Sequence, residues 1–386
     1  KEFRIFYLKH TGIMKMNQSF DSQEQLKAKL KGISDDFFDL NSTNQKNLSK
    51  FSVDERNAKR KSPEKTEGLY RNAFQIDRDR IIHTNSFRRL KHKSQVFVAP
   101  KGDHYTTRLT HVIEVSQIGR TIARALNLNE DLVEAASLGH DLGHTPFGHI
   151  GESALNNILS DGFHHSIHSV KIIESLEKNG KGLNLTDYVI EAIRRHSKKQ
   201  GAFLTKNAVL GMSLEAQIVR ISDALAYLSH DIEDAKRSGF LNHKNIPQDL
   251  IYFFDISRSE RINIFVTDVV LNSWDCTGKT STKDPYIKMS DEFSKTMTLL
   301  RNFMFENFYL PVSDSKQGKI ATKIINLLFS YYDENFSSVP HKYSQYDIEK
   351  NEKISNFICG MTDLYAINIA EKISPGISDK LRFENI

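Results

Sequence analysis

Cysteine is scarce: Cys276 and Cys359 are the only two in 386 residues, far apart and outside any CxxC pattern. That excludes a disulfide framework and a thiolate zinc site, and it suits a reducing compartment, read here as the cytoplasm. Long apolar runs are missing as well. No stretch of about 18 apolar residues occurs, so no membrane span is expected. The first residues, KEFRIFYLKHTGIMKMNQ, scatter charge through a segment without a continuous apolar centre, which does not read as a signal peptide; the missing initiator Met reads as cropping or processing. Charge of one sign is not in large excess. The 53 Lys and Arg against 48 Asp and Glu leave a net +5, too little for a histone-like nucleic-acid coat but compatible with a local basic pocket. Internal repeats and low-complexity tracts are absent. Strand-like alternation is scarce, and SQVFVAP (94–100) is its best instance, half of a small hairpin.

What the chain has is helical periodicity and, at 39% apolar residues, enough material for a core. HVIEVSQIGRTIARALNL (111–128) sets Val112, Val115, Ile118, Ile122 and Leu126 at three- and four-residue steps. NEDLVEAASLGHD (129–141) follows, with Asn129 as N-cap and acids in its first turn. Further helices are expected at 150–160, 164–178, 186–196, 213–237, 246–275, 288–309, 316–333 and 348–372. The polar segment 40–68 reads as a surface loop. The expected fold is all-α with a little β. Its expected parts are a partly mobile N-terminal extension (1–69), a core (70–240) and a C-terminal helical region (241–386) packed on the core and contributing to its pocket.

The densest chemistry is LGHDLGHTPFGHIGE (138–152), with three histidines, an aspartate, a glutamate, four glycines and a proline. In a helix each glycine costs about 1 kcal/mol and a proline about 3, so something other than local stability holds this sequence in place. His140 and Asp141 close a helix, and imidazole with carboxylate suits a divalent metal of intermediate hardness, such as Mn, Fe, Co, Ni or Zn. Two ligands are too few. His111 on the preceding helix and Asp223 on the long later one are the candidates to complete a quartet, leaving open positions for water and a substrate oxygen. Taken singly, each histidine reads as an ordinary core or surface residue; the cluster does not.

These residues resemble the HD phosphohydrolase superfamily, and more closely its dGTPase-like deoxynucleoside triphosphate triphosphohydrolases. The likeness runs in order through 71–98, GDHYTTRLTHVIEVSQIGRTIARAL (102–126), 138–152, GLNLT (182–186) with HS at 196–197, SLEAQIVRISDALAYLSHDIEDAKRSG (213–239) and GMTDLYA (360–366). It implies a hydrolase that contributes to dNTP pool control by splitting a dNTP into deoxynucleoside and tripolyphosphate. One divalent ion per site (Mn, Mg, Co, Ni or Fe) would sit on His111, His140, Asp141 and Asp223. The matching catalytic residues are His149, Glu152 and His165, with His164 and His168 crowding the last position. His149 and Glu152 are three residues apart, about one helical turn, so the acid can orient the imidazole. Arg108 and His144 match phosphate-binding cations. Gln95, Tyr227 and Asp231 match sugar contacts, and Asp223, Tyr227 and Asp231 share one helix face at four-residue steps. Ala224 departs from the pattern: the family often carries a charge there, which puts the details of the triphosphate grip in doubt.

Relatives form dimers, tetramers or hexamers, and some respond to a second dNTP or to single-stranded DNA. The resemblance thus implies a homo-oligomer with dNTP substrate and leaves those effectors open. The basic run RDRIIHTNSFRRLKHKSQ (78–95) reads as a solvated helix face, a phosphate contact, an effector site or a single-strand contact. The competing functions are another HD-type nucleotidase or phosphodiesterase, and a catalytically silent nucleotide- or nucleic-acid-binding module.

Overall fold

A computed structural model describes residues 47–64, 70–98, 104–197, 205–241 and 245–381, with single positions at 28, 32, 36 and 43. Expectations for most of 1–46, and for the last two residues of the 94–100 segment, lie outside the described residues. The helices are α1 (Ala73–Ile82), α2 (Asn85–Arg89), α3 (Arg108–Ala125), α4 (Glu130–Gly139), α5 (Gly148–Ile158), α6 (His165–Lys171), α7 (Asp187–Arg195), α8 (Leu214–Arg237), α9 (Gln248–Asp255), α10 (Arg258–Asn272), α11 (Asp291–Met304), α12 (Leu310–Asp314), α13 (Lys316–Glu334), α14 (His341–Ser344), α15 (Lys350–Cys359) and α16 (Asp363–Ile373), joined by short 3-10 and π turns. No helix among the described residues is long and apolar enough to cross a membrane.

Side-chain caps set the helix starts that matter for the site. Thr107 and Thr110 form a reciprocal capping box, which puts Arg108 and His111 in the first turn of α3. Asn129 caps α4 by accepting from the Leu132 amide at 3.1 Å. Caps also explain where one expected helix splits. The segment 246–275 breaks because Ser257 and Glu260 box the start of α10. The segment 348–372 also divides, with Thr362 capping α16 after Gly360. Segments 164–178 and 288–309 loosen into π turns at Ile172–Leu176 and Phe305–Tyr309.

The molecule is mainly helical, as the periodicity predicts. The small hairpin at 94–100 is not formed among the described residues. Residues 95–98 are bends, and pairing shrinks to a single antiparallel bridge, Ser94 to Thr107. The reason is local competition: the Ser94 amide donates to the Asp363 carboxylate at 3.0 Å, and the Gln95 carbonyl accepts from Arg108 Nη2 at 3.4 Å. The polar stretch 47–64 is fastened to the helices. The buried Glu215 carboxylate accepts from Ser52 Oγ at 2.9 Å and the Val53 amide at 3.0 Å.

Two apolar clusters form the core. The first unites α3, α4, α7 and α8 with residues from 246 to 312. The second joins Phe147 and α5 to α13, α15 and α16. The turn from His140 to Gly148 runs from one cluster to the other, with Leu142 buried in the first and Phe147 in the second. The histidine-rich turn is thus held from both sides.

Candidate active site

The HD turn owes its shape to contacts that its glycines permit. A Cβ on Gly143 would collide with the Ser169 amide and the His165 carbonyl, so only glycine lets the turn lie against α6. Gly148 adopts φ +58°, and a Cβ there would lie 2.7 Å from Arg108 Nη2. Ser169 Oγ donates to the His140 carbonyl at 2.7 Å and accepts from the Gly143 amide at 2.8 Å. Lys93 Nζ donates to the carbonyls of His144 at 2.5 Å and Cys359 at 2.7 Å. Burial pushes its pKa down to about 8.

Inside this frame ligating atoms of His111, His140 and Asp141 come together, and Asp223 lies beside both histidines. His111 Nε2 lies 3.2 Å from Asp223 Oδ1 and 4.0 Å from Asp141 Oδ2. His140 Nε2 lies 3.5 Å from Asp141 Oδ1 and 3.8 Å from Asp223 Oδ1. Donors bonded at about 2.0–2.2 Å to one ion stand no more than about 4.4 Å apart, so these separations fit a single cation. His140 Nδ1 donates to the Ser137 carbonyl at 2.6 Å. Its Nε2 is therefore the lone-pair nitrogen, and it is buried without a hydrogen-bond partner, as a metal ligand would be. Burial lowers the His140 pKa, with Asp141 and Asp223 pulling the other way. Burial would raise Asp141, but His140 and Arg108 beside it hold it well below the carboxylate range.

The other predicted residues surround this quartet. Arg108 Nη1 donates to Asp141 Oδ2 at 2.7 Å. His144 Nε2 lies 3.6 Å from Asp141 Oδ1. Burial, then Arg108, pushes His144 well below its ordinary pKa, so it stands in the site as a neutral imidazole rather than a cation. Glu152 takes two histidines at once: His149 Nδ1 at 3.0 Å on Oε2 and His165 Nδ1 at 2.8 Å on Oε1. Burial would raise Glu152, yet His165 and His149 hold it far below the usual range. The His149 side chain is 71% exposed while His165 is buried, so only His149 meets solvent. His164 turns to cap α6 through Ser166, and His168 is buried near Lys171 and pushed down to about 3 by burial.

Gln95 Oε1 is buried without a hydrogen-bond partner. Tyr227 is half-buried, packed on the first core. Burial raises its pKa, with Arg301 of α11 acting the other way through a hydrogen bond. Asp231 Oδ2 accepts from Tyr309 Oη at 2.6 Å. Its Oδ1 lies 2.7 Å from His230 Nδ1, out of line for a hydrogen bond. Ala224 is fully buried in the core, where a charge would lack solvent.

The HD domain family pattern matches residues 108–228, and the phosphohydrolase-associated domain pattern matches 287–372. The chain is 44% identical to a "Deoxyguanosinetriphosphate triphosphohydrolase-like protein" of Caldanaerobacter subterraneus subsp. tengcongensis, over 83% of this chain and 90% of that relative. This chain belongs to the dGTP triphosphohydrolase-like family of HD-domain phosphohydrolases. Relatives of the same description include one from Clostridium perfringens, 44% identical over 78% of this chain and 87% of its own length. Another, from Pelagibacter ubique, is 38% identical over 79% and 94% respectively.

For this HD phosphohydrolase the sequence reading passed over several residues that build the site. His230 Nε2 sits 3.0 Å from His111 Nδ1, with Asp231 beside the other nitrogen of His230. The signal was available: His230 is seven residues, two helical turns, from Asp223. His196 was noticed only within its motif. Ser169, Lys93 and Asp363 left no linear signal, because their partners are distant in sequence. A histidine on a ligand's far nitrogen fixes its tautomer and orientation. Replacing His230 by alanine, with His230→Gln as the milder form, is therefore expected to weaken divalent-metal affinity by ~10–100-fold, read by titration calorimetry.

Proposed function

We infer that this HD phosphohydrolase hydrolyses deoxynucleoside triphosphates to deoxynucleoside and tripolyphosphate, and thereby contributes to control of dNTP pools. The observation that carries the metal-dependent part of the reading is the unpartnered, buried Nε2 of His140 facing Asp223 and Asp141. His111, His140, Asp141 and Asp223 would hold one divalent cation; Mn, Co, Ni and Fe fit the mixed imidazole and carboxylate donors, and Mg suits only the carboxylates. When bound, such an ion supplies Lewis-acid polarisation of a phosphate oxygen and lowers the pKa of water.

The chain's own groups do the rest. His149 presents Nε2 to solvent while Glu152 holds its Nδ1, so it moves a proton at that nitrogen, to the departing 5′ sugar oxygen or from the attacking water. Water adds at the α-phosphorus, and the bond from that phosphorus to the 5′ oxygen breaks. Arg108 places fixed positive charge beside Asp141 and the developing phosphate charge. His144 offers a neutral ring for a hydrogen bond. Tyr227 and Asp231, one helical turn apart on α8, read the deoxyribose, with Gln95 Oε1 as a further acceptor. The names of the relatives support deoxyguanosine triphosphate among the substrates.

Two outcomes check this reading. In Asp231→Ala the KM for dNTP rises about tenfold or more while metal is retained, since a hydrogen bond to a charged group is worth about 1.5–3 kcal/mol. An unchanged KM removes Asp231 from the sugar site. A panel of ribo- and deoxynucleoside mono-, di- and triphosphates, assayed with Mn²⁺ and products identified, yields tripolyphosphate only from deoxynucleoside triphosphates. Orthophosphate from monophosphates, or cleavage of cyclic dinucleotides, points to another HD-type reaction.

A further inference from the structure

Helix α5 carries His149 and Glu152, yet its start has none of the usual supports. A helix is ordinarily entered from a residue whose side chain accepts an amide of the first turn. In a capping box, a glutamate or glutamine at the third helical position also reaches back to that residue's own N–H. Here the entering residue is Phe147, which has no side-chain oxygen, and the third helical position is Ile150. Phe147 also sits in the left-handed region at φ +63°. A residue other than glycine stays there only when its surroundings hold it.

The hold comes from a residue 216 positions further along the chain. Asp363 Oδ1 accepts from the Phe147 amide at 3.0 Å, the contact that a third-position glutamate would make in a capping box. Its Oδ2 accepts from the Ser94 amide at 3.0 Å and from the Ser94 hydroxyl. With both oxygens engaged the carboxylate is fixed in orientation, and the residue is buried. Burial pushes its pKa up, against the bonds from Ser94 and Phe147. The Phe147 ring packs into the second core with α13, α15 and α16. The other end of the HD turn has a separate anchor, Ser169, on the His140 carbonyl and the Gly143 amide. The metal end and the His149 end of one turn are thus held by different residues. Asp363 lies in the block 360–366, which has no part in the mechanism above.

We propose that Asp363 is a positioning residue for His149: from the first position of α16 it fixes the backbone of Phe147, sets where α5 begins, and so aims the His149 imidazole. This rests on the proton-moving role given to His149 above. It makes the C-terminal region a working part of the active site, acting through the backbone of α5. Its bonds go to Phe147 and Ser94, and the quartet is held elsewhere. Loosening Asp363 therefore displaces the proton carrier and leaves the cation where it is. A misplacement of about 1 Å costs up to ~10²-fold in rate.

The test is a double-mutant cycle on the full chain. Asp363→Asn keeps the shape of the side chain and gives up one of its two acceptor oxygens. The expected result is a kcat for dNTP lowered by ~10–100-fold, with Mn²⁺ affinity unchanged by titration calorimetry. In a His149→Ala background the same substitution is expected to lower kcat no further, because groups that act as a unit are not additive. A second reading needs no substrate. In metal-free protein with labelled histidine, the imidazole resonances of His149 and His111 are each identified by their loss in the alanine variant. Those of His149 are expected to shift in Asp363→Asn and those of His111 to hold. An unchanged kcat, the same loss in both backgrounds, or weakened Mn²⁺ binding overturns the proposal. If Asp363→Asn does not fold, Ser94→Ala, which frees one oxygen of the same carboxylate, is read by the same criteria. Turnover of dNTPs with unshifted His149 resonances removes the positioning role alone. A wild type inert toward dNTPs removes the proposed function, and the His149 resonances then decide the positioning: a shift supports it, and no shift overturns it.

Discussion

His140→Ala and Asp223→Ala each abolish metal retention and lower dNTP hydrolysis by about a thousandfold or more. The size follows from what the ion supplies: several kcal/mol of transition-state stabilisation corresponds to roughly 10³-fold in rate. His140 Nε2 is buried and without another partner, and Asp223 Oδ1 is within 4 Å of both quartet histidines. Loss of activity could also follow from misfolding, so the decisive readout is thermal. A cation that binds only the folded chain raises its stability by mass action. Mn²⁺ is therefore expected to raise the wild-type Tm and to leave the two variants unmoved. A variant that melts like the metal-free wild type and still gains stability with Mn²⁺ contradicts the assignment.

His149→Ala keeps the metal and loses turnover by ~10²–10⁴-fold, the range for a positioned general acid or base. The separation of effects rests on exposure and partnering. His149 lies at the solvent side with Glu152 on its Nδ1 and is not one of the quartet. An exposed side chain leaves no core cavity when truncated, so stability is expected to change little. Measured together, kcat, KM and bound Mn²⁺ test the division of roles: kcat falls, and metal content holds. If the variant instead loses its ion, His149 is a ligand and the proton-transfer role belongs elsewhere. Glu152→Gln supplies the companion result. It weakens the orientation of His149 and His165 together, so it is expected to lower kcat while leaving the four quartet ligands in place.

The helical fold was legible because apolar steps of three and four residues run through 111–128, and because Asn129 sits where α4 starts. The quartet was legible because His140 and Asp141 fall at a helix end in a sequence too rich in glycine to be there for stability. What was not legible depends on contacts across the chain. The hairpin at 94–100 failed because Asp363, far away in sequence, and Arg108 take the backbone groups that a strand partner would need. The breaks inside 246–275 and 348–372 come from single capping residues that periodicity alone does not weigh. His230 and His196 lie inside matched blocks, but nothing in those blocks marks what their rings touch. Their meaning appears only when their rings are seen against His111 and His165. His144, expected as a phosphate-binding cation, is neutral because burial and Arg108 act on the same ring.

The central claim is that water adds to the α-phosphorus of a deoxynucleoside triphosphate and expels the 5′ sugar oxygen. Its most direct measurement is hydrolysis in water labelled with heavy oxygen, with both products analysed by mass spectrometry. The account predicts one labelled oxygen in tripolyphosphate and none in the deoxynucleoside. Label in the deoxynucleoside, or release of pyrophosphate or orthophosphate in place of tripolyphosphate, contradicts it.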